Sequence, residues 1–157
     1  MNRIMVLFLV VRFMAVDELN KKILEILRKN GRTSFTNIAE EVRVSEATVR
    51  KRIKVLEEKK VILGYTGVLD PLKMGYNVVA MVGLDIDPKK FLFVSEKIRE
   101  LDEVRWVATS TGEHMLLMEV WAEDGQKLSR ILTGKIGKID GVRKVQSSLI
   151  LEKQKSF

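Results

Sequence analysis

Apolar residues recur at helical spacing through the first third of the chain and at strand spacing through much of the rest. Leu19, Ile23, Ile26 and Leu27 fall on one face of a helix. Asp17 is placed to cap it, its carboxylate accepting from free N–H groups at the positive helix end. Lys29, Asn30 and Gly31 supply the stop. A second short helix follows Ser34, with Phe35, Ile38, Ala39 and Val42 turned inward. After a tight break at Arg43 and Val44, Ser45 caps a third helix, "EATVRKRIKVLEEKK", whose apolar face is Val49, Ile53 and Leu56. The period then changes. "VILGYTGVLDP" is β-branched and aromatic, is interrupted by Gly64 and Gly67, and reads as a short strand or wing ended by Pro71. "DPLKMGY" reads as a linker. The pattern therefore predicts an apolar extension over 1–16, a helical domain over 17–69, a linker over 70–76 and a second domain over 77–157.

The second domain contains a repeat. "FVSEKIRELDEVRWV" (93–107) aligns with "ILTGKIGKIDGVRKV" (131–145) at an offset of 38 residues. Val94 matches Leu132, Ile98 matches Ile136, Leu101 matches Ile139, and Val104-Arg105 matches Val142-Arg143. Upstream, Val82 matches Val120. Each half reads strand, helix, strand. Two halves give βαββαβ, the ferredoxin-like arrangement: a four-stranded antiparallel sheet with two helices on one face. Asp87 and Pro88 suit the start of the first of those helices. Gly112 in "STGEH" suits the turn between the two middle strands. The fold class expected is α+β.

Composition narrows the chemistry. Apolar residues are 46% and charged residues 31% of 157, enough for a core and a hydrated surface. No cysteine is present, which excludes disulfides, thiolate nucleophiles and Cys-ligated metal. One histidine, His114, leaves no multi-His metal site. No catalytic residue, metal or cofactor is expected. Asn and Gln are scarce beside Lys, Arg and Glu, a bias seen in heat-adapted proteins. The net charge of +7 is uneven, about +4 over 17–69 against +1 over 70–157. A basic module joined to a nearly neutral one suits a polyanion partner for the first. A basic surface kept for solubility is the alternative.

Three short helices with a tight turn between the second and third describe a helix-turn-helix. On the third, the face opposite Val49, Ile53 and Leu56 carries Ala47, Lys51 and Lys54, flanked by Ser45, Thr48 and Arg50. Small and hydroxyl groups at the helix start admit close approach to base edges, and cations further along meet phosphates. This assigns double-stranded DNA as the partner, against a merely solvated basic face. Trp106 and Trp121 fall at strand positions and are expected to fill core or interface space. Arg105 and Arg143 stand at equivalent repeat positions, paired across a dimer or simply exposed. The acidic pairs Glu40–Glu41 and Glu57–Glu58 read as solvated helix faces.

From Asp17 to Lys153 the sequence resembles the Lrp/AsnC, or feast/famine, family. The most specific parts are "SEATVRKRIKVLEEKKVI" followed by "GY", then "P..MGY", then a βαββαβ module containing "TGEH". The resemblance implies a cytoplasmic transcription regulator whose second domain dimerises, often assembles further, and senses a small molecule, usually an amino acid. It implies an effector site at Ser110, Thr111, Gly112, Glu113 and His114. A plain hairpin turn is the other reading of these residues. Two positions depart from the family pattern. Arg43 stands where many relatives have Gly, so the turn needs another backbone shape or Arg43 reaches a phosphate. Met115 replaces the second acidic residue of the effector motif. Some proteins resembling the family are sirohaem decarboxylases, and an architectural DNA-binding protein is a third possibility. The basic third helix and the single histidine speak against the enzyme.

The opening "MNRIMVLFLVVRFMAV" has an unbroken apolar run of eight residues, far below the roughly 20 of a spanning helix, so no membrane partner is expected. No small-x-small cleavage site precedes Asp17. Met14 offers an internal start, and residues 1–13 read as an over-extended reading frame, with a β-prone arm as the alternative.

Overall fold

The computed structural model describes residues 16–153, so both readings of residues 1–13 fall outside it. The chain divides between Gly67 and Val68 into two compact units.

The first unit is helical. α1 (Glu18–Lys29) starts where Asp17 accepts from the Asn20 N–H at 2.8 Å. α2 (Phe35–Val42) is capped by Ser34 and α3 (Glu46–Glu58) by Ser45, each hydroxyl accepting from the backbone N–H three residues on. The turn between α2 and α3 passes through Arg43 at φ 58°, ψ 50°. A non-glycine residue thus holds the left-handed conformation in which glycine ends helices at least cost. Ile23, Ile38, Ala39, Val49 and Ile53 form the core, with Leu19, Leu27, Phe35 and Ile62 packed around it. α1 and α3 are also tied by charge: Arg52 donates to Asp17 at 2.5 Å and to Asn20 at 3.1 Å.

The expected wing is not a strand. After α3 the backbone runs without regular structure to Asp70, leaving Leu63 87% and Val68 64% exposed. The residue types suit a strand, but a strand needs a ladder partner for its N–H and C=O groups. Among the described residues none offers one.

The second unit is a four-stranded antiparallel sheet in the order β2-β3-β1-β4, built from β1 (Val78–Ile86), β2 (Val104–Thr109), β3 (Leu116–Ala122) and β4 (Val142–Leu149). The order and the interleaved helices are those of the ferredoxin-like arrangement. Ala80, Val82, Leu84 and Ile86 of β1 alternate onto one face with Leu116, Met118, Val120 and Ala122 of β3. That face packs on α4 (Phe91–Arg99) through Val94 and Ile98 and on the second helical segment through Leu128, Ile131 and Ile136. The second segment is less regular than the repeat predicts. α5 (Gly125–Arg130) gives way to a π-turn at Ile131–Lys135 and a 3-10 turn at Ile136–Lys138. Residues five apart diverge by about 140° on an ideal helix; the wider π-turn lets Ile131 and Ile136 both reach the core. The opposite face presents Val79, Met81, Gly83 and Asp85 of β1 beside Leu117, Glu119 and Trp121 of β3, with Trp106 of β2 42% exposed.

Candidate functional site

The helix-turn-helix surface is organised by ion pairs that begin on α3 itself. Ser45 and Thr48 place their hydroxyls 2.8 Å apart, so both serve the start of the helix. Ala47 and Lys51 are exposed, and Lys54 lies 3.9 Å from Glu58. Arg50 is committed more firmly. It donates to Glu46 at 2.6 Å, one helical turn earlier, and its guanidinium lies 4.9 Å from the Phe35 ring centre. Thr36 of α2 donates to the other oxygen of Glu46 at 3.0 Å. The Arg50 and Thr36 hydrogen bonds hold the Glu46 carboxyl below the usual carboxylate range. The six residues expected to meet DNA therefore run along α3 from its cap at Ser45 to Lys54 in its third turn, with Arg50 held by neighbours the sequence reading left out. The Glu46-to-Arg50 spacing of four was the available signal.

The second candidate is the β2–β3 hairpin end. Thr111, Gly112 and Glu113 are exposed, while Ser110 and His114 are partly buried. The turn is closed by the Ser110 N–H donating to the Met115 carbonyl at 3.0 Å and by the Gly112 N–H donating to the Ser110 hydroxyl at 3.1 Å. Gly112 does not take the left-handed φ found at Gly75 and Gly141, and a Cβ there would meet nothing nearer than the Ser110 Oγ at 3.5 Å. Neither dihedral nor packing demands glycine at this point of the turn. His114 points away from the turn and onto the sheet. Its Nδ1 is 3.2 Å from Asp85 Oδ1, and a Cβ on Gly83 would lie 2.1 Å from its Cδ2. Gly83 thus leaves the space in which the imidazole sits. The sequence reading missed Gly83 and Asp85, although a glycine inside a strand signals close approach by another group.

Trp121 and Trp106 both stand on the helix-free face. Trp121 Nε1 donates to the buried Glu119 at 2.5 Å. Arg143 donates to Asp87 at 3.1 Å within the unit, whereas Arg105 lies against the rings of Tyr76 and Trp121. The repeat-equivalent arginines therefore do different work. No helix among the described residues is long and apolar enough to cross a membrane.

Comparison with known proteins gives both units the same assignment. Residues 16–57 match the AsnC-type helix-turn-helix domain, and residues 79–157 match the Lrp/AsnC ligand binding domain. The chain is 50% identical over 140 residues to the HTH-type transcriptional regulator LrpA of Pyrococcus horikoshii, covering 89% of this chain and 99% of that one. It is 36% identical over 142 residues to LrpA1 of Halobacterium salinarum, covering 90% and 100%. Among solved structures, AsnC of E. coli superposes with a TM-score of 0.79 at 26% identity, over 90% of this chain and 96% of that one. The Neisseria meningitidis regulator in complex with L-Met does so with a TM-score of 0.82 at 25% identity, over 89% and 92%. The chain belongs to the Lrp/AsnC family of transcription regulators, with a helix-turn-helix unit for DNA and a ligand-binding unit for a small effector.

Proposed function

We propose that the protein reads duplex DNA with the exposed start of α3 and that an α-amino acid, bound at the 110–114 turn, shifts this reading. The observation that carries it is the surface of α3: Ala47 and Thr48 are small enough for base edges to come close, and Lys51 and Lys54 follow one and two turns on. Arg50 exchanges Glu46 for a phosphate or a guanine edge when DNA arrives. Ser45 contributes the capped helix start. Arg43, exposed at the turn, lies beside the same surface and is a further phosphate contact. The role is regulatory rather than enzymatic, as in the named relatives.

A homodimer presents two such helices to two half-sites. The uncovered sheet face, with Trp106, Met81 and Val79, and the apolar segment around Leu63 and Val68 supply surface for that pairing. Dimers assemble further, and the effector selects among their arrangements. For the effector, a glycine that no dihedral or packing demands leaves Gly112 open to close approach. Glu113 is exposed beside it as an acceptor for an ammonium group, with Ser110 and Thr111 as hydroxyl donors. The bound L-Met of the Neisseria meningitidis regulator supports this class of ligand. Linkage requires that the effector bind one assembly better than another.

A gel shift on the region upstream of the protein's own reading frame tests this, at several salt concentrations and with each amino acid in turn. Sequence-selective, salt-sensitive binding that one amino acid alters is expected. Binding that spreads over any DNA with no amino-acid response would point instead to an architectural protein.

A further inference from the structure

A recess lies at the end of the β2–β3 hairpin remote from the 110–114 turn, built around Arg105. Val104 pairs with Val120 and Trp106 with Glu119, so Arg105 is the unpaired residue of a β-bulge. Bulges re-aim the side chain they carry. Here the guanidinium carbon lies 4.8 Å from the Tyr76 ring centre and 4.7 Å from that of Trp121. The two rings meet at 5.5 Å, inclined by 55°. Cation–π contact engages the planar faces of the guanidinium and leaves its N–H fork for a planar acceptor. None of the carboxylates lining the recess takes that fork: Glu103 accepts from Lys135 at 2.5 Å, and Asp102 and Glu123 make no ion pair with Arg105.

The recess encloses about 200 Å³. Its remaining walls carry Lys127 on one side of the charge balance and Asp102 and Glu123 on the other. A phosphate would be drawn to Arg105 but repelled by two carboxylates. A ligand with a carboxylate and an ammonium group on one small frame satisfies both signs. We propose that this recess binds a small zwitterion, its carboxylate on the fork of Arg105 and its ammonium toward Asp102 and Glu123. The site is distinct from the 110–114 turn, which lies five strand residues, roughly 16 Å, along the hairpin. It does not depend on the effector reading of that turn.

Trp121 is the reporter. The full-length chain carrying Trp106→Phe keeps it as the only indole. Its fluorescence is followed while each of the twenty L-amino acids is added, with acetate and ethylamine as single-charge probes. A saturable change with at least one amino acid, and none with either probe at the same concentration, is expected. Arg105→Gln should weaken that binding at least tenfold. Arg105→Lys, which keeps the charge but not the fork, should weaken it less, and Glu113→Gln at the turn should leave it unchanged. Melting curves on each variant separate loss of the site from loss of the fold. No saturable response to any amino acid overturns the proposal, as does a response that survives Arg105→Gln. A native mass that falls with Arg105→Gln, with no amino-acid response in the parent, overturns it too, because the fork then serves a second copy of the chain.

Discussion

The two units bury their apolar residues to different degrees of completion. Among the described residues the helical unit buries six apolar side chains, five of them in one cluster, and some of its cations are paired within it: Arg28 with Glu25, Arg50 with Glu46, Arg52 with Asp17. Among the described residues the sheet unit has a core of thirteen, yet no helix covers one face of its sheet, which carries Trp106, Met81 and Leu117. The first unit exposes cations that suit a polyanion. The second exposes apolar surface that water covers poorly, the face proposed above for pairing with a second copy. Polyanion binding suits the first surface, and the second unit joins its effector-binding role to an apolar face that suits a further contact.

The difference in core size gives the strongest way to break this comparison. Ile53 is 2% exposed in a five-residue core, and Ile136 is fully buried in one of thirteen. Ile53→Ala should remove about 2–5 kcal/mol, enough to leave the helical unit unfolded at moderate temperature. Ile136→Ala should remove a similar amount and leave the sheet unit folded. Calorimetry that resolves the two transitions checks this. A loss of sheet-unit signal in Ile53→Ala would show that the units do not hold their stability separately.

A smaller effect separates packing from conformation on the open face. Gly83→Ala puts a Cβ within 2.1 Å of the His114 ring. The ring must leave, the contact with Asp85 goes with it, and a cost of about 1–3 kcal/mol is expected. The double variant with His114→Ala should recover most of the loss, since nothing then occupies the space. Equal melting temperatures for the single and double variants would place the strain elsewhere.

How far the chain could be read follows the same division. The helical unit is local: Asp17, Ser34 and Ser45 cap where their hydrogen-bonding chemistry says they should, and the apolar stripes face inward as spaced. The sheet unit was legible only through its repeat, which located the strands but not the departures. The π-turn after Arg130 follows from how Ile131 and Ile136 meet the sheet, and the bulge at Arg105 from how β2 meets β3. The strand expected near Val61–Leu69 failed for the same reason in reverse, because residue type does not supply a ladder partner. At the candidate sites, residue identity gave the exposed cations of α3 but not the Glu46 and Phe35 that hold one of them. Those depend on rotamers and on the angle between α2 and α3.

DNA binding by the cations of α3 grades the next effect. Lys51 has no partner among the described residues, so Lys51→Ala should weaken binding to all sequences alike and lower the salt slope by about 1. Arg50 begins on Glu46, so Glu46→Gln should raise nonspecific affinity by freeing it, with the salt slope unchanged or steeper. Titration at a series of salt concentrations measures both. A salt slope that Lys51→Ala leaves unaltered would remove this residue from the interface.

The smallest effect is a pH dependence confined to the helical unit. Asp17 has its pKa lowered from 3.8, first by the Asn20 N–H and then by the Arg52 hydrogen bond. A carboxylate whose pKa is lower folded than unfolded binds fewer protons in the native state. Its contribution is therefore fully present above the unfolded value and is lost as pH falls through the folded one. The side chains are 54% and 32% exposed, so solvent and salt screen the pair and the effect is small. The helical unit should lose stability below about pH 4 faster than Asp17→Asn does, and the two melting curves should converge at lower pH. Arg52→Ala should abolish only part of the difference, because the Asn20 N–H remains as the larger cause. A pH profile in which Arg52→Ala and Asp17→Asn coincide would reverse that order, making the α1–α3 ion pair, rather than the helix cap, the reason the carboxylate stays charged.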